Sequence, residues 1–573
     1  MSKSILLAVL STLLLIMGCG GSPASTPVVI EKEVIIEVEK EVIKTVIVVA
    51  TPIPTMLPVS VTGPYGELIA AADDMINMGT DLMVYMPSPQ GTIYLEELYD
   101  YLFEKDFDGK FIPSLATDWE MSSDQLTWTF DIRKGVEFHD GSPLTAEDVA
   151  YSWNRSFFDP ESTATTAIDY AQNVESITAE GNKLVVVTKE PQANVDMWGN
   201  YPNLGAGGMI LSKKQLEEQG ADAYRNNPIG TGPYRFKERI VNQYIKLTAS
   251  DQEHWFKEPG FKDLTILEIP ELSTRIALLK TGGADLVGAS IASRETILES
   301  GLQAVSAPAT GVSALYYLYL YADGHPFNDQ RVREAISIAI DRKTIGERLY
   351  LGEAWPLSNM PAAPGTFGYN DDVKPHPYDL ERAKQLMKDA GYADGFEVQI
   401  WTYINDADFP NLPTLGEAAL GYLEDINITG DVKIYDWTTL GGTILVESAW
   451  NKNPTPEETP YPLFIRGNDA RFYSLRWMRA LLHSENSRKP LFGNGIPWLD
   501  ETINKAFAEF DTAKEEELIR EANRRLTDEY WHAPLLYANT VFGLSNRIAG
   551  WTPTTGRSWI HNFWTARPAE GVK

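Results

Sequence analysis

Residues 379–403 read DLERAKQLMKDAGYADGFEVQIWTY and contain the pattern that decides the fold. Asp379 can cap a helix over residues 380–390, in which apolar side chains recur at helical spacing. Gly391 can end this helix, because glycine readily adopts the left-handed conformation found after a helix. Segment 396–403 then alternates apolar and polar residues and predicts a strand.

A second helix and strand pair follows at 415–423 and 431–437. This alternation favours an α/β fold with a mainly parallel sheet covered by helices. In such open sheets ligands bind beyond the carboxyl ends of the strands. Trp401, Tyr403 and Trp437 lie at or just after predicted strand ends, so we expect them to line a ligand site.

Two short motifs nearer the N-terminus resemble functional sites. His139 and Asp140 could form a catalytic pair, but they precede a helix capped by Thr145, and we favour a turn with local hydrogen bonds. Gly230 and Gly232 could suggest a phosphate loop, but the Lys-Ser/Thr of a Walker motif is missing from this segment. We therefore predict a tight turn leading into a strand.

The N-terminus has the features of an export signal. Residues 1–18 combine a lysine with an apolar run, 5–17, that is shorter than the roughly 20 residues of a membrane-spanning helix. Residues 16–19, Ile-Met-Gly-Cys, resemble a bacterial lipobox, in which the signal is cut before a lipid-modified Cys. We expect Cys19 to anchor an exported protein on the outer face of the cell membrane or in the periplasm.

Residues 19–60 differ in composition from the rest of the chain. A Gly/Ser/Pro-rich start precedes a Glu/Lys/Val/Ile-rich segment, and prolines follow it. We interpret this segment as a tether between the anchor and the folded body. An amphipathic or coiled association segment is the alternative interpretation.

Composition excludes several classes of protein. The chain has 573 residues, enough for roughly four structural units. The 49 Lys and Arg against 79 Asp and Glu give a net charge of −30, which disfavours nucleic acid as a partner. Its single Cys excludes an intrachain disulfide and any cysteine-rich metal site.

Several ordered blocks together resemble the family 5 extracellular solute-binding proteins, the peptide and nickel class that serves bacterial ABC importers. Each block alone is unspecific, but their order and spacing are specific. They extend over about residues 95–395 and comprise 98–104, 113–119, 128–133, 138–153, 230–236, 279–286, 326–342 and 379–392.

This resemblance implies a two-lobed, type II periplasmic-binding-protein-like clamp with three subdomains. It also implies a monomer that captures a small solute, an oligopeptide or dipeptide above all, and delivers it to the permease subunits of an ABC importer. Lobes of this kind close about a hinge. The implied division is a discontinuous domain I (61–110, 227–320 and 531–573), an inserted domain II (111–226) and a domain III (321–530).

One block departs from the family pattern. Members that hold peptides usually carry Gly-Trp followed by Asp-Tyr and Pro, and the carboxylate of this block meets the ligand's amino group. Residues 464–471 read FIRGNDAR instead, so Asp469 is a candidate substitute. Arg466 and Arg471 are candidates for binding a ligand carboxylate.

Two other functions stay open at the level of sequence. A secreted hydrolase of glycans or peptides is suggested by 15 Trp and many carboxylates, although its usual motifs, such as Gly-x-Ser-x-Gly, are missing. A surface adhesin or scaffold would need no cleft. The seven His residues show no ligand-like spacing, so we predict neither a metal site nor a cofactor.

Overall fold

The helices and strands predicted in segment 379–435 form because of local side-chain interactions. This computed structural model describes residues 64–73, 75, 93–107, 111–160, 162, 167, 171–193, 208–318, 324–360, 362–404, 409–435, 440, 461–469, 474–484, 495–554 and 560–571. They belong to the second of two units into which the chain divides, residues 60–573.

The strands of the described residues are numbered along the chain. They are β1 (Glu67–Ala72), β2 (Phe103–Lys105), β3 (Phe111–Pro113), β4 (Ala116–Met121), β5 (Thr127–Ile132), β6 (Val174–Glu180), β7 (Lys183–Thr188), β8 (Tyr234–Ile240), β9 (Tyr244–Ala249), β10 (Asp263–Glu268), β11 (Leu286–Ala289), β12 (Gln303–Tyr317), β13 (Ala354–Pro356), β14 (Phe396–Tyr403), β15 (Ile428–Tyr435), β16 (Tyr461–Asp469), β17 (His532–Leu544), β18 (Ile548–Gly550) and β19 (Arg567–Pro568).

The helices are numbered in the same way. They are α1 (Leu95–Leu98), α2 (Ala146–Phe158), α3 (Lys213–Asn226), α4 (Leu272–Thr281), α5 (Arg294–Glu299), α6 (Gln330–Ile338), α7 (Arg342–Leu349), α8 (Leu380–Asp389), α9 (Leu412–Glu424), α10 (Ser474–Leu482), α11 (Pro497–Phe507) and α12 (Thr512–Asp528). Three short 3₁₀ helices lie at Ile291–Ser293, Pro326–Asn328 and Phe563–Thr565.

The capping residues explain where the predicted helices begin. Asp379 accepts a hydrogen bond from the Arg382 backbone N–H at the start of α8, as predicted. Thr145 and Asp148 form the predicted capping box of α2. Helix α9 begins at Leu412, three residues before the predicted start, because Pro413 fits the first turn of a helix.

The large sheet is mixed, so the prediction of a mainly parallel sheet was wrong. Its strand order is β15-β14-β16-β12-β17-β11-β1-β10-β9-β8, with β13 paired to β17. Parallel pairs occur in two separate groups, β15-β14-β16 and β11-β1-β10. The groups are joined by β12 and β17, which pair antiparallel with each other and with their neighbours. The prediction failed because helix and strand alternation marks only the parallel groups.

Strands β12 and β17 pass from one hydrophobic core into another. On β12, Ala307 packs in a core around β1 and β8–β10, whereas Val312 packs in the larger core of the other half. On β17 the same change occurs between Val541 and Phe542. The β12–β17 ladder shifts register between Ala307 and Gly311, so the strands are irregular where the core changes.

The second sheet is antiparallel and has the order β4-β5-β7-β6. Helix α2 packs against β6 and β7, and the fully buried Trp153 on α2 contacts Phe130 of β5 edge-on. Beside this sheet, His139 lies in a turn, as predicted. Its Nε2–H donates to the Gly232 carbonyl at 2.9 Å, and its Nδ1 accepts from the Gly230 N–H at 3.2 Å. Both ring nitrogens are therefore occupied by the backbone.

The Gly230–Gly232 turn packs directly on the backbone of α1. The Gly232 N–H donates to the Leu98 carbonyl at 2.9 Å. A side chain on Gly230 would overlap the Leu98 carbonyl, and one on Gly232 would lie 2.6 Å from the carbonyl carbon of Leu98. Glycine is required here by close approach of two backbones.

We predict that Gly230→Ala lowers the free energy of unfolding by about 1–3 kcal/mol, because the added methyl group would force the turn away from α1. Urea unfolding followed by circular dichroism measures this change. The matched control is Gly421→Ala on α9, where an added methyl group meets open space and should stabilise the helix by about 0.5–1 kcal/mol. Equal midpoints for wild type and Gly230→Ala would contradict the prediction.

A buried ion cluster fastens α1 and β2 to the loop before β10. Lys257 Nζ lies 3.1 Å from Asp100 Oδ1 and 2.8 Å from Glu104 Oε1. His254 Nε2 lies 3.1 Å from the same Asp100 oxygen. Burial opposes the charge on Asp100, but Lys257 and His254 together hold its pKa below the usual range. Removing one partner from such a cluster typically costs about 3–5 kcal/mol.

Glu97, next to this cluster, behaves differently. Its side chain is 1% exposed, its Oε1 accepts a 3.4 Å hydrogen bond from the Trp564 N–H, and its Oε2 has no partner. Burial raises its pKa to about 8, although the charge of Lys257 opposes the rise. Glu97 is therefore protonated in the folded protein at neutral pH.

Glu97→Gln should remove a pH dependence of stability. A raised pKa stabilises the fold fully below about pH 4.5, the pKa of an ordinary Glu, and this stabilisation is lost as the pH rises through about 8. We expect wild type to lose about 1.4 kcal/mol per pH unit relative to the variant across this window. Urea unfolding at pH 5, 6, 7 and 8 measures the slopes, with Glu347→Gln on the surface as control. Parallel curves for wild type and Glu97→Gln would refute the assignment.

Candidate functional site

The carboxyl ends of both parallel groups meet at the middle of β17. Ala289, the last residue of β11, pairs with Val541. Asp469, the last residue of β16, pairs with Gly311 of β12, which in turn pairs with Ala538. Three residues of β17, about 10 Å, separate the two positions along the strand. The edge at which open sheets bind ligands is thus shared by both halves of the sheet.

A cavity opens at this convergence and is continuous with solvent. The cavity volume is about 70 Å³. One half contributes the ends of β1 and β11, including Asp73 and Ser290, and the other half contributes Pro410. Residues 539–542 of β17 form the wall between them.

The cavity wall contains groups of both charges and several neutral polar groups. Asp73 follows β1 and is partly exposed. The Arg275 guanidinium is 8% exposed and donates to the carbonyls of Ile269, Pro270 and Gly288, which fix its position. Ser290 caps the short helix that follows β11. A solute in this cavity would meet a carboxylate, a guanidinium and hydroxyl groups within one wall.

Beside the cavity, an ion pair and the hydrogen bonds of an amide side chain link the two halves of the sheet. Asn539 Nδ2 donates to Glu353 Oε2 at 2.8 Å, and the Asn539 N–H donates to the Glu353 carbonyl at 3.0 Å. The other carboxylate oxygen of Glu353 lies 3.7 Å from Arg294 Nε on α5. Glu353 precedes β13 in one half, whereas Arg294 follows β11 in the other.

Trp401 and Tyr403, predicted to line a ligand site, are buried beside the strand ends and not in the cavity wall. Trp401 is 5% exposed, and its Nε1–H donates to Gln399 Oε1 at 2.8 Å. Tyr403 is 0% exposed, and its hydroxyl donates to the Gly467 carbonyl at 2.9 Å. The Tyr403 hydrogen bond connects β14 to β16, and the Trp401 ring meets the Tyr435 ring of β15 edge-on at 6.0 Å between centres.

The structure places Arg466 at the same edge. Its side chain is 6% exposed, its Nε–H donates to Asn468 Oδ1 at 3.1 Å, and its guanidinium lies 5.7 Å from the Trp477 ring centre. Asp469 ends β16, and nothing is described of its side chain. Trp437, Arg471 and Cys19 lie outside the described residues.

Sequence reasoning missed the cavity residues Asp73, Ser290 and Asn539. A signal existed for Ser290, because it directly follows the apolar segment 286–289, which forms β11. Asn539 gave no such signal, because it lies inside a strand and reaches the cavity only through the pairing of β17 with its neighbours.

Within the described residues, no group of three or more His, Cys, Asp or Glu side chains could hold a metal ion. In the same residues, no helix has the length and apolar character needed to cross a bilayer.

Comparisons with known proteins identify the family of this chain. The profile of the bacterial extracellular solute-binding proteins, family 5 (middle) matches residues 110–474. The heme-binding protein A of Haemophilus influenzae is 28% identical over 380 residues, covering 61% of this chain and 67% of that protein. The dipeptide-binding protein of Escherichia coli is 27% identical over 368 residues, covering 59% and 66%.

A solved structure shares the fold. The periplasmic binding protein DppA of Helicobacter pylori, in complex with the peptide STSA, superposes with a TM-score of 0.70 at 24% identity, covering 88% of this chain and 98% of that one. This likeness confirms the predicted two-lobed α/β clamp. Family 5 members are binding proteins and not enzymes, so the hydrolase alternative has no support. With more than half of its length matched by the family profile, the chain belongs to family 5 of the bacterial extracellular solute-binding proteins.

Proposed function

We propose that this protein captures a short peptide between its lobes and presents it to the permease of an ABC importer. The observation that carries the proposal is the cavity at the shared carboxyl edge, with Asp73 and Arg275 in one wall. A short peptide carries an ammonium at one end and a carboxylate at the other. A wall with both charges complements such a zwitterion, because charge-assisted hydrogen bonds are the stronger kind.

The candidates from sequence belong to the same proposal. Arg466 and Asp469 lie at the carboxyl edge of β16, and Trp437 follows β15 in sequence, so these three are proposed as solute contacts of the second lobe. Trp401 and Tyr403 are proposed to support that edge from within. We also propose the domain division inferred from sequence, since β12 ends at Tyr317 and β17 begins at His532, close to the boundaries at 320 and 531.

Anchoring and assembly are further parts of the proposal. Residues 1–18 would direct export, Cys19 would carry the lipid, and residues 19–60 would form the tether. The sequence Ile-Met-Gly-Cys at 16–19 is the feature that supports the anchor. We propose a monomer at the outer face of the membrane, in contact with the permease.

The first test is peptide capture by the full chain. Peptide bound to the folded state alone should add about 2.7 kcal/mol to the free energy of unfolding at 100 times its dissociation constant. We expect short peptides to be released on denaturation and identified by mass spectrometry. Asp73→Asn should weaken binding about 10- to 100-fold, since it removes a charged hydrogen-bond partner worth about 1.5–3 kcal/mol.

The matched control for this test is Asp251→Asn, an exposed carboxylate paired with Arg235 away from the cavity. Its peptide affinity should equal that of wild type. Release of a single non-peptide solute would keep the receptor and change its substrate. Equal loss of affinity in both variants would remove Asp73 from the site.

Cys19→Ser should release the protein from the membrane. A single acyl chain holds a protein only marginally and dual acylation holds it stably, so loss of the lipid-bearing sulfur should move the protein into the soluble fraction. Immunoblotting of membrane and soluble fractions measures the distribution. Ser22→Ala, just beyond the lipobox, is the control. Membrane retention of Cys19→Ser would refute the lipid anchor.

A further inference from the structure

An aromatic pair lies at the surface on β13 and β17. The Trp355 side chain is 38% exposed, unusual for a tryptophan. Its ring lies 5.4 Å from the Tyr537 ring, centre to centre, at an interplanar angle of 27°. The two residues are direct cross-strand partners, so backbone pairing fixes the stack.

This stack faces the same side of the sheet as part of the cavity wall. Alternate residues of a strand point to one face, so Tyr537 shares its face with Asn539 and Val541. Both of those residues line the cavity. The hydrogen bond from Asn539 to Glu353, two residues before Trp355, confirms that β13 is held against this face. Tyr537 therefore lies one strand repeat from Asn539, next to the cavity wall on the same strand.

The segment that carries Trp355 is anchored at the cavity rim and contains a strained residue. The Tyr350 hydroxyl donates to the carbonyl of Pro410, a cavity residue, at 2.9 Å. Leu351 follows with a φ of 50°, a conformation that is costly for a bulky residue, and its side chain is 64% exposed. The Leu351 side chain is not buried, so the free-energy cost of this backbone conformation is not offset by burial. Strain of this kind clusters at ligand sites.

We propose that Trp355, stacked on Tyr537, is a specificity residue of the solute cleft that receives a planar aromatic side chain of the bound peptide. This inference rests on the proposed function and names the solutes that the site prefers. The occupant follows from three features: the exposed ring of Trp355, the place of Tyr537 next to the cavity wall, and the position of the pair on the lobe that also contributes Pro410.

The chemistry of the stack favours an aromatic group over an aliphatic one. Tyr537 stacks on the indole, and 38% of the Trp355 side chain remains exposed and can meet an offset aromatic ring. Aromatic pairs gain about 0.5–1.5 kcal/mol beyond their buried area. We expect about fivefold selectivity for Phe over Leu in the same peptide, equivalent to about 1 kcal/mol.

The test offers the full chain, purified in detergent, an equimolar mixture of tripeptides with Ala, Leu, Lys, Glu or Phe at each position. Retained peptides are released and counted by mass spectrometry. Wild type should retain Phe peptides about fivefold over Leu peptides. Trp355→Ala and Trp355→Leu should lose this preference, and Trp355→Tyr should keep it. If Trp355→Ala does not fold, as judged by thermal unfolding, the Leu and Tyr variants decide.

The matched control is Tyr378→Ala, which removes another exposed aromatic ring of the same lobe, 45% exposed and packed edge-on against Tyr422 rather than on β17. It should retain the wild-type preference. Unchanged preference in Trp355→Ala or Trp355→Leu overturns the inference. Peptide retention by wild type without aromatic preference overturns it too and leaves the proposed function standing. Retention of no tripeptide at all by wild type overturns the proposed peptide function and the inference with it.

Discussion

The antiparallel pairing of β12 with β17 is the constraint on which the rest of the structure depends. Each half of the sheet has its own parallel group and its own core, and these two strands are continuous through both. One parallel group lies on each side of this pair of strands. The carboxyl ends of the two groups therefore meet at residues 538–541 of β17. The cavity, the Asn539–Glu353 contact and the aromatic stack all lie along this short stretch.

This arrangement explains how a clamp can present a chemically mixed wall. The first half contributes strand ends with small or charged residues, such as Ser290 and Asp73. The second half contributes Pro410. Most of the lining residues come from the first half and from β17. Ligand chemistry can thus vary in one half without disturbing the core of the other.

Sequence predicted the local elements well and the site poorly, and the reason is physical. Helix α8 and strand β14 were predicted with nearly their observed bounds, because capping residues and alternation are local signals. The burial of Trp401 was not predicted, since a position at a strand end does not tell whether neighbouring strands cover the side chain. Asn539 and Trp355 gain their roles from pairing partners distant in sequence. The antiparallel centre of the sheet also arises from the pairing of strands that are distant in sequence, so the sequence did not predict it.

The buried carboxyl of Glu97 makes folding a proton-consuming event. An unfolded chain at neutral pH carries this group ionised, and the folded protein carries it neutral, so each molecule that folds takes one proton from its surroundings at this position. Family 5 proteins work outside the cytoplasm, where the medium sets the pH. The contribution of Glu97 to folding is therefore coupled to the acidity of that medium.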